Sequence, residues 1–297
     1  MRITTSRLKK TLSYEVFLIP AVVLYTVFFI IPLFSSIFYS FTNLSLLHKT
    51  INFVGIRNYI KVFKDDQIIS SIKNTLIFAF SSTLIANVLA IFFAICLDNK
   101  FKSSNIIRML IFAPAVMSSL VIGYIWSYIL SSDQYGMINS ILSRMGVNSI
   151  NWLGDAKYAM LCIILVYTWQ WTGWCMVIYH ANLQTIPEEY YEAAKIDGAN
   201  SIQRVFRITL PLMVTSVTIN SVLFIIGGLK VYDIIISTTN GGPGFATESF
   251  TTVLVKRVFG MSQYGYGSAI AIVLFLIIFL IELIQLKYLR KWEKKVL

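Results

Sequence analysis

Six stretches of the chain stay apolar for long enough to cross a bilayer, separated by shorter polar segments. With about 20 apolar residues needed to span the hydrocarbon, the pattern predicts crossings at roughly 16–41, 70–97, 106–131, 157–181, 208–229 and 268–288. The first is too long and too aromatic for the apolar centre of a secretory leader and has no small-residue cleavage site, so it is expected to remain in the mature protein. Pro20 and Pro32 are expected to bend it. Among the connections, residues 42–69 carry an amphipathic turn around Tyr59 to Phe63. The longest, 230–267, holds Asn240-Gly241-Gly242-Pro243-Gly244, a run of turn-forming residues. No fixed-period repeat emerges. The fold class is therefore an all-α polytopic membrane protein: an N-terminal tail over 1–15, a six-helix transmembrane domain over 16–288, and a C-terminal tail over 289–297.

One polar interruption reads as ordered structure. From Ile186 to Pro211 the chain runs IPEEYYEAAKIDGANSIQRVFRITLP. Thr185 and Glu188 have capping-box spacing, Pro187 suits a first helical turn, and Glu188 with Glu189 complements the positive end of the helix dipole. Asp197-Gly198 supplies the backbone freedom to end that helix. Asn200 with Gln203 then opens a second short helix, expected to stop before Pro211. The prediction is a helix, a tight turn and a helix displayed between two spans.

Composition removes other classes. At 57% hydrophobic, 13% charged and a mean hydropathy of +0.71, a chain of 297 residues is too apolar for a soluble domain. The net charge of +11 comes from Lys and Arg at the ends of apolar runs, without a nucleic-acid motif. Membrane topology accounts for it: with the N terminus inside, 15 of the 25 Lys and Arg residues lie on the cytoplasmic side, which places both termini and the 186–211 segment there. Cys96, Cys162 and Cys175 lie in apolar runs without metal-ligand spacing and read as core packing. There is no phosphate-binding loop and no H-E-x-x-H, and His48 and His180 are far apart. Catalysis by this chain is not expected, and no metal site.

Polar and aromatic residues inside the spans mark candidate chemistry. Trp169, Gln170, Trp171 and Trp174 fall near the middle of the fourth span rather than in an interfacial belt, and their three- and four-residue spacings allow a shared face. An amide against lipid is costly, so Gln170 is expected to face protein or a water-filled cavity. An aromatic platform beside hydrogen-bonding groups suits sugars; helix packing is the alternative. In the fifth span Asn220 is polar, Gly227-Gly228 loosens the helix, and Lys230 with Asp233 either lines an entrance or forms an interfacial ion pair. Glu282 reads as a snorkelling carboxylate in preference to a proton relay.

The string Glu192-Ala193-Ala194, Asp197-Gly198-Ala199, Phe206, Ile208, Leu210-Pro211 resembles the EAA loop of ABC importer permeases, the segment that docks on a cytoplasmic ATPase. The resemblance extends over most of the chain to the maltose and glycerol-3-phosphate type of permease. It rests on Pro114, Trp126, Tyr135-Gly136, Asn139, Trp152-Leu153, Thr168-Trp169-Gln170-Trp171-Thr172-Gly173, Tyr232-Asp233 and the Gly-Gly-Pro element, which favours the first of the two permease subunits. It implies a type I importer permease fold with Glu192 as the acidic contact to the ATPase, Gly198 as the turn glycine, and Ala193, Ala194, Asp197 and Ala199 in the docking surface. It further implies a second homologous permease, two ATPase subunits that hold the ATP and magnesium, and an extracytoplasmic binding protein resting on Asn240, Gly241, Gly242 and Pro243. No cofactor is implied for this chain, and the substrate class is a di- or oligosaccharide or related polyol. Trp169, Gln170, Trp171, Trp174, Asn220, Gly228, Lys230 and Asp233 are the candidates for the solute path. The setting is a bacterial or archaeal cytoplasmic membrane. Rival classes are an ATP-independent secondary transporter or channel, an intramembrane enzyme and a scaffold. Near-absence of mid-span charge counts against the first, and the missing catalytic constellation against the second.

Overall fold

The computed structural model describes residues 17–46, 50–98, 102–132 and 136–296. The expected N-terminal tail, His48 and Tyr135 lie outside them. Among the described residues the secondary structure is helical apart from one isolated antiparallel bridge between Thr42 and Phe53. The chain divides into two compact units, Met1–Lys64 with Leu254–Leu274, and Asp65–Val253 with Phe275–Leu297.

The first unit starts with α1 (Phe17–Ser40), a helix of 24 residues. Pro32 does not interrupt it. A widened π turn over Thr26–Ile30, closed by Ile31 N–H to Thr26 O, precedes the proline and accommodates the hydrogen bond that its ring removes. Beyond α1 the chain doubles back through α2 (Arg57–Val62), the turn expected near Tyr59. Asn58 donates from Nδ2 to the carbonyls of Ser40 and Thr42, both at 2.8 Å. Gly265 N–H donates to Leu44 O at 2.8 Å, and a Cβ there would lie 2.2 Å from Thr42 O, so only glycine allows that approach. The Lys61 ammonium sits 4.3 Å over the Tyr266 ring.

The second unit contains α3 (Asp66–Asp98), α4 (Ser104–Val116), α5 (Ser119–Ile129), α6 (Met137–Arg144), α7 (Ala156–Leu183), α8 (Glu188–Ile196), α9 (Ser201–Leu212), α10 (Val214–Leu229) and α11 (Asp233–Thr238). Two further helices, α12 (Phe250–Val255) and α13 (Tyr264–Val296), contribute residues to both units. At its centre α7 packs against α3, α4 and α10. Ala79, Ala86, Ala90 and Ala94 form a fully buried stripe of small residues along α3 at four- and seven-residue steps, the spacing that lets helix backbones approach closely. Gly228 on α10 completes this approach, because a Cβ there would fall 2.8 Å from Ala79 Cα.

Four predicted crossings are continuous helices, but the third and fifth are not. The third breaks at Met117 between α4 and α5, with a 99° turn. Pro114 weakens the end of α4 by removing a backbone donor, and Met117 is extended. The fifth begins only after a 65° bend at Met213. Its predicted first residues, from 208, belong instead to α9, which runs through Pro211 rather than stopping before it. A π turn over Val205–Thr209 precedes this proline too, with Leu210 N–H reaching back to Val205 O. At the far end of the chain, the expected tail over 289–297 is a continuation of α13 through Val296. Of the cysteines, Cys162 and Cys175 are buried as expected, whereas Cys96 lies on an exposed face of α3.

Candidate functional site

The hairpin of α8 and α9 has the predicted turn. Gly198 adopts φ +78°, in the left-handed region that glycine enters without penalty. Asn200 and Gln203 form a reciprocal capping box, each side chain accepting from the other's backbone N–H at 2.8 Å. The first cap differs from expectation. Pro187 is the N-cap residue, and the Thr185 hydroxyl donates backward to Asn182 O at 2.7 Å instead of capping α8. Glu188 and Glu189 occupy the first turn as predicted.

No residue of α8 is buried. Glu192, Ala193, Asp197 and Gly198 are exposed, with Ala194 and Ala199 half-buried. Large apolar side chains stand beside them in the open: Ile196 is 87% exposed, Ile202 70% and Phe206 66%. These apolar side chains stand on a hairpin that is otherwise polar. The two arms are held together by Tyr191 OH and Thr209 Oγ1 at 3.1 Å. Where the hairpin joins the spans, an open groove of ≈ 870 Å³ is lined by Asp98, Arg108, Gln184, Glu188 and Tyr191. Arg108 donates to the last-turn carbonyl of Leu97, and His180 Nε2 lies 3.8 Å from Asp98.

The candidate solute-path residues do not gather on one surface. Gln170 is fully buried and donates from Nε2 to Met117 O at 3.1 Å, satisfying the carbonyl freed where α4 breaks from α5. One turn on, a Cβ at Gly173 would lie 2.2 Å from Ile111 O, so α4 lies directly on the α7 backbone. Asn220 is fully buried and donates from Nδ2 to Cys175 O at 3.2 Å. Gly228 faces α3, as noted. These three residues hold helices together. Trp171 and Trp174 pack half-buried against the core, while Trp169 is 46% exposed and stacks edge-on with Trp126 at 5.5 Å. Lys230 and Asp233 form no ion pair, because α10 ends at Leu229 and α11 opens at Asp233, which destroys the helical spacing. Both are exposed. Glu282 lies about four turns from the end of α13, which runs past the predicted span, with both carboxylate oxygens shielded from solvent and no hydrogen-bond partner among the described residues.

At the opposite end of α10, Asn240 and Gly241 take positive φ, the Gly242–Pro243 peptide is cis, and Thr247 Oγ1 donates to Gly242 O at 2.7 Å. Gly242 and Pro243 line a groove of ≈ 480 Å³ with Ser127, Asn151 and Thr239. Asn139, fully buried, ties this end by donating to Ser131 O and Ile150 O at 2.9 Å and accepting from Trp152 Nε1 at 3.2 Å. Sequence reading missed the neighbouring anchor: Glu248 is buried, accepting from Gln67 Nε2 at 2.7 Å. An acidic residue in a turn-rich stretch gives no sign of burial. Among the described residues, no group of His, Cys, Asp or Glu is placed to hold a metal.

Comparisons with known proteins bear on the family and the fold. The family model for the binding-protein-dependent transport system inner membrane component matches residues 86–294. The multiple sugar-binding transport system permease protein MsmF of Streptococcus mutans is 34% identical over 93% of this chain and 95% of its own length. The trehalose/maltose transport system permease protein MalF of Thermococcus litoralis is 32% identical over 95% and 96%. In fold, the chain superposes with a TM-score of 0.87 on a chain of the bacterial alginate ABC transporter in complex with alginate pentasaccharide-bound periplasmic protein, at 21% identity and over 97% of this chain and 98% of that one. The chain thus belongs to the family of binding-protein-dependent transport system inner membrane components, as a multi-pass transport subunit and not an enzyme.

Proposed function

We propose that this chain is the permease through which an ATP-driven importer admits a di- or oligosaccharide or related polyol, delivered by an extracytoplasmic binding protein. The observation that carries the reading is the hairpin: a rigidly capped pair of helices with Ile196, Ile202 and Phe206 exposed around Glu192 and Gly198. A separate ATPase subunit covers that surface, supplies ATP and magnesium, and drives the attached helices as it closes, a rigid-body switch. The chain itself holds no cofactor. Both termini and the hairpin face the cytoplasm, a reading supported by the distribution of Lys and Arg. A second homologous permease completes the pathway, and the binding protein rests on Asn240, Gly241, Gly242 and Pro243 at the other end. The sugar class is supported by the carbohydrate names of the relatives above. Within the spans, the half-buried and exposed Trp174 and Trp169 are the solute-facing residues, since Gln170, Asn220 and Gly228 are engaged in packing.

The test is ATP-dependent uptake by the reconstituted complex against a panel of oligosaccharides. Glu192→Lys and Gly198→Asp are expected to abolish uptake and ATPase co-purification while the chain stays in the membrane at its normal level. Normal uptake with normal co-purification in both variants would end the docking assignment.

A further inference from the structure

The hairpin has two roots in the membrane. Its first arm, α8, continues from α7 through residues 184–187, and its second arm, α9, turns through Met213 into α10. Three hydrogen bonds join the incoming and outgoing strands of this path in ascending order. Outermost is Tyr191 OH with Thr209 Oγ1 at 3.1 Å. Next, Ser216 Oγ donates to Asn182 Oδ1 at 2.9 Å. Deepest, Asn220 Nδ2 donates to Cys175 O at 3.2 Å. Between Cys175 and Asn182, one helical turn nearer the hairpin than Cys175, Tyr179 OH donates to Asn87 Oδ1 and thereby ties α7 to α3 as well.

The middle bond is the informative one. The single proton of Ser216 Oγ is shared between two acceptors, Met213 O at 2.8 Å and Asn182 Oδ1 at 2.9 Å. The hydroxyl is therefore bound both to the neighbouring root and to the residue at which the 65° bend occurs. Interhelical hydrogen bonds in membranes contribute little to stability, about 0.6 kcal/mol on average, so cohesion alone does not account for a ladder of them along one seam. A polar pair can also fix the register between two helices. Here the register fixed is that between the two roots of the element that receives the push.

We propose that the pairs Tyr191–Thr209 and Asn182–Ser216 are positioning residues for transport: they keep the two roots of the hairpin moving as one body, so that ATPase closure displaces α7 and α10 together and not α8 and α9 alone. This inference rests on the docking role assigned above. Its signature is uncoupling. A hairpin that still docks but flexes at its roots permits ATP hydrolysis without moving the pathway.

The experiment uses the complete reconstituted complex and reads sugar uptake and ATP hydrolysis on the same vesicles, with Asn182→Ala, Ser216→Ala, the double variant and Ser216→Thr. Binding-protein-stimulated hydrolysis is expected to stay within about twofold of wild type while sugar moved per ATP falls by about threefold to tenfold, the scale of one lost interhelical hydrogen bond. The double variant is expected to be no worse than either single, because both remove the same bond, and threonine is expected to restore coupling. An unchanged ratio in the singles, or a loss of hydrolysis in proportion to uptake, overturns the proposal. Tyr191→Phe cuts the outermost bond and gives the same reading if the inner variants fail to assemble. Failure of the docking role itself is recognised separately, because the wild-type complex would then lack binding-protein-stimulated hydrolysis.

Discussion

The two polar ends of α10 are built in opposite ways. At the hairpin end, α8 buries nothing, and Ile196, Ile202 and Phe206 face outward. At the other end, Thr247, Glu248, Ser249 and Phe250 are all buried, and each is bonded to a neighbour: Thr247 to Gly242, Glu248 to Gln67, Ser249 to Val231 O at 2.7 Å, and Phe250 N–H to Thr75 Oγ1 at 2.8 Å. One end is tied internally through these four residues, while the other leaves large apolar side chains exposed on a hairpin that buries none of its first arm. Substitutions at the first are expected to weaken the fold, and at the second to weaken an assembly while sparing the fold.

The largest effect that separates the two is expected from Ile196→Glu. It places a charge at the most exposed apolar position of the hairpin and should cost about 2 kcal/mol or more of docking, read as loss of ATPase co-purification. The melting temperature of the isolated chain in detergent should not move. Thr75→Val is the counterpart. It leaves the Phe250 N–H buried without an acceptor, at a cost of about 1–3 kcal/mol, so the isolated chain should melt earlier while ATPase co-purification at low temperature is retained. If both substitutions lower melting alike, the contrast between the ends is broken. The smallest effect is expected from Gly198→Asn. Nothing lies within 4 Å of a Cβ there, and asparagine tolerates positive φ, so the chain alone should lose under about 1 kcal/mol. Any uptake defect beyond that reports close approach by the partner rather than backbone strain.

Much of this molecule is legible in its sequence because its signals are local. The Asn200–Gln203 cap, the left-handed Gly198 and the Gly-Gly-Pro turn each follow from residues within a few positions of one another. The apolar runs likewise mark the crossings. What escapes is set by contacts between distant segments. Pro114 is visible, but the right-angled break at Met117 needs a donor for the freed carbonyl and a glycine against which α4 can lie, and both come from α7 through Gln170 and Gly173. The requirement that Gln170 face protein follows from the cost of a buried amide; that its partner is a broken helix does not. The Lys230–Asp233 spacing misleads because it presumes a helix that has already ended. Asn182 and Ser216, 34 residues apart, carry no signal singly.

The π turn over Val205–Thr209 lets α9 pass through a proline without losing its direction. A π turn holds one residue more than an α turn by widening, so the segments on either side keep nearly the phase of an unbroken helix. The carbonyl that would otherwise meet the Pro211 ring is displaced, and Leu210 N–H is satisfied by Val205 O. Deleting one residue between Val205 and Thr209 would close the turn to α geometry and bring that clash back, a kink placed between the glycine turn and α10 with every exposed side chain of the hairpin intact.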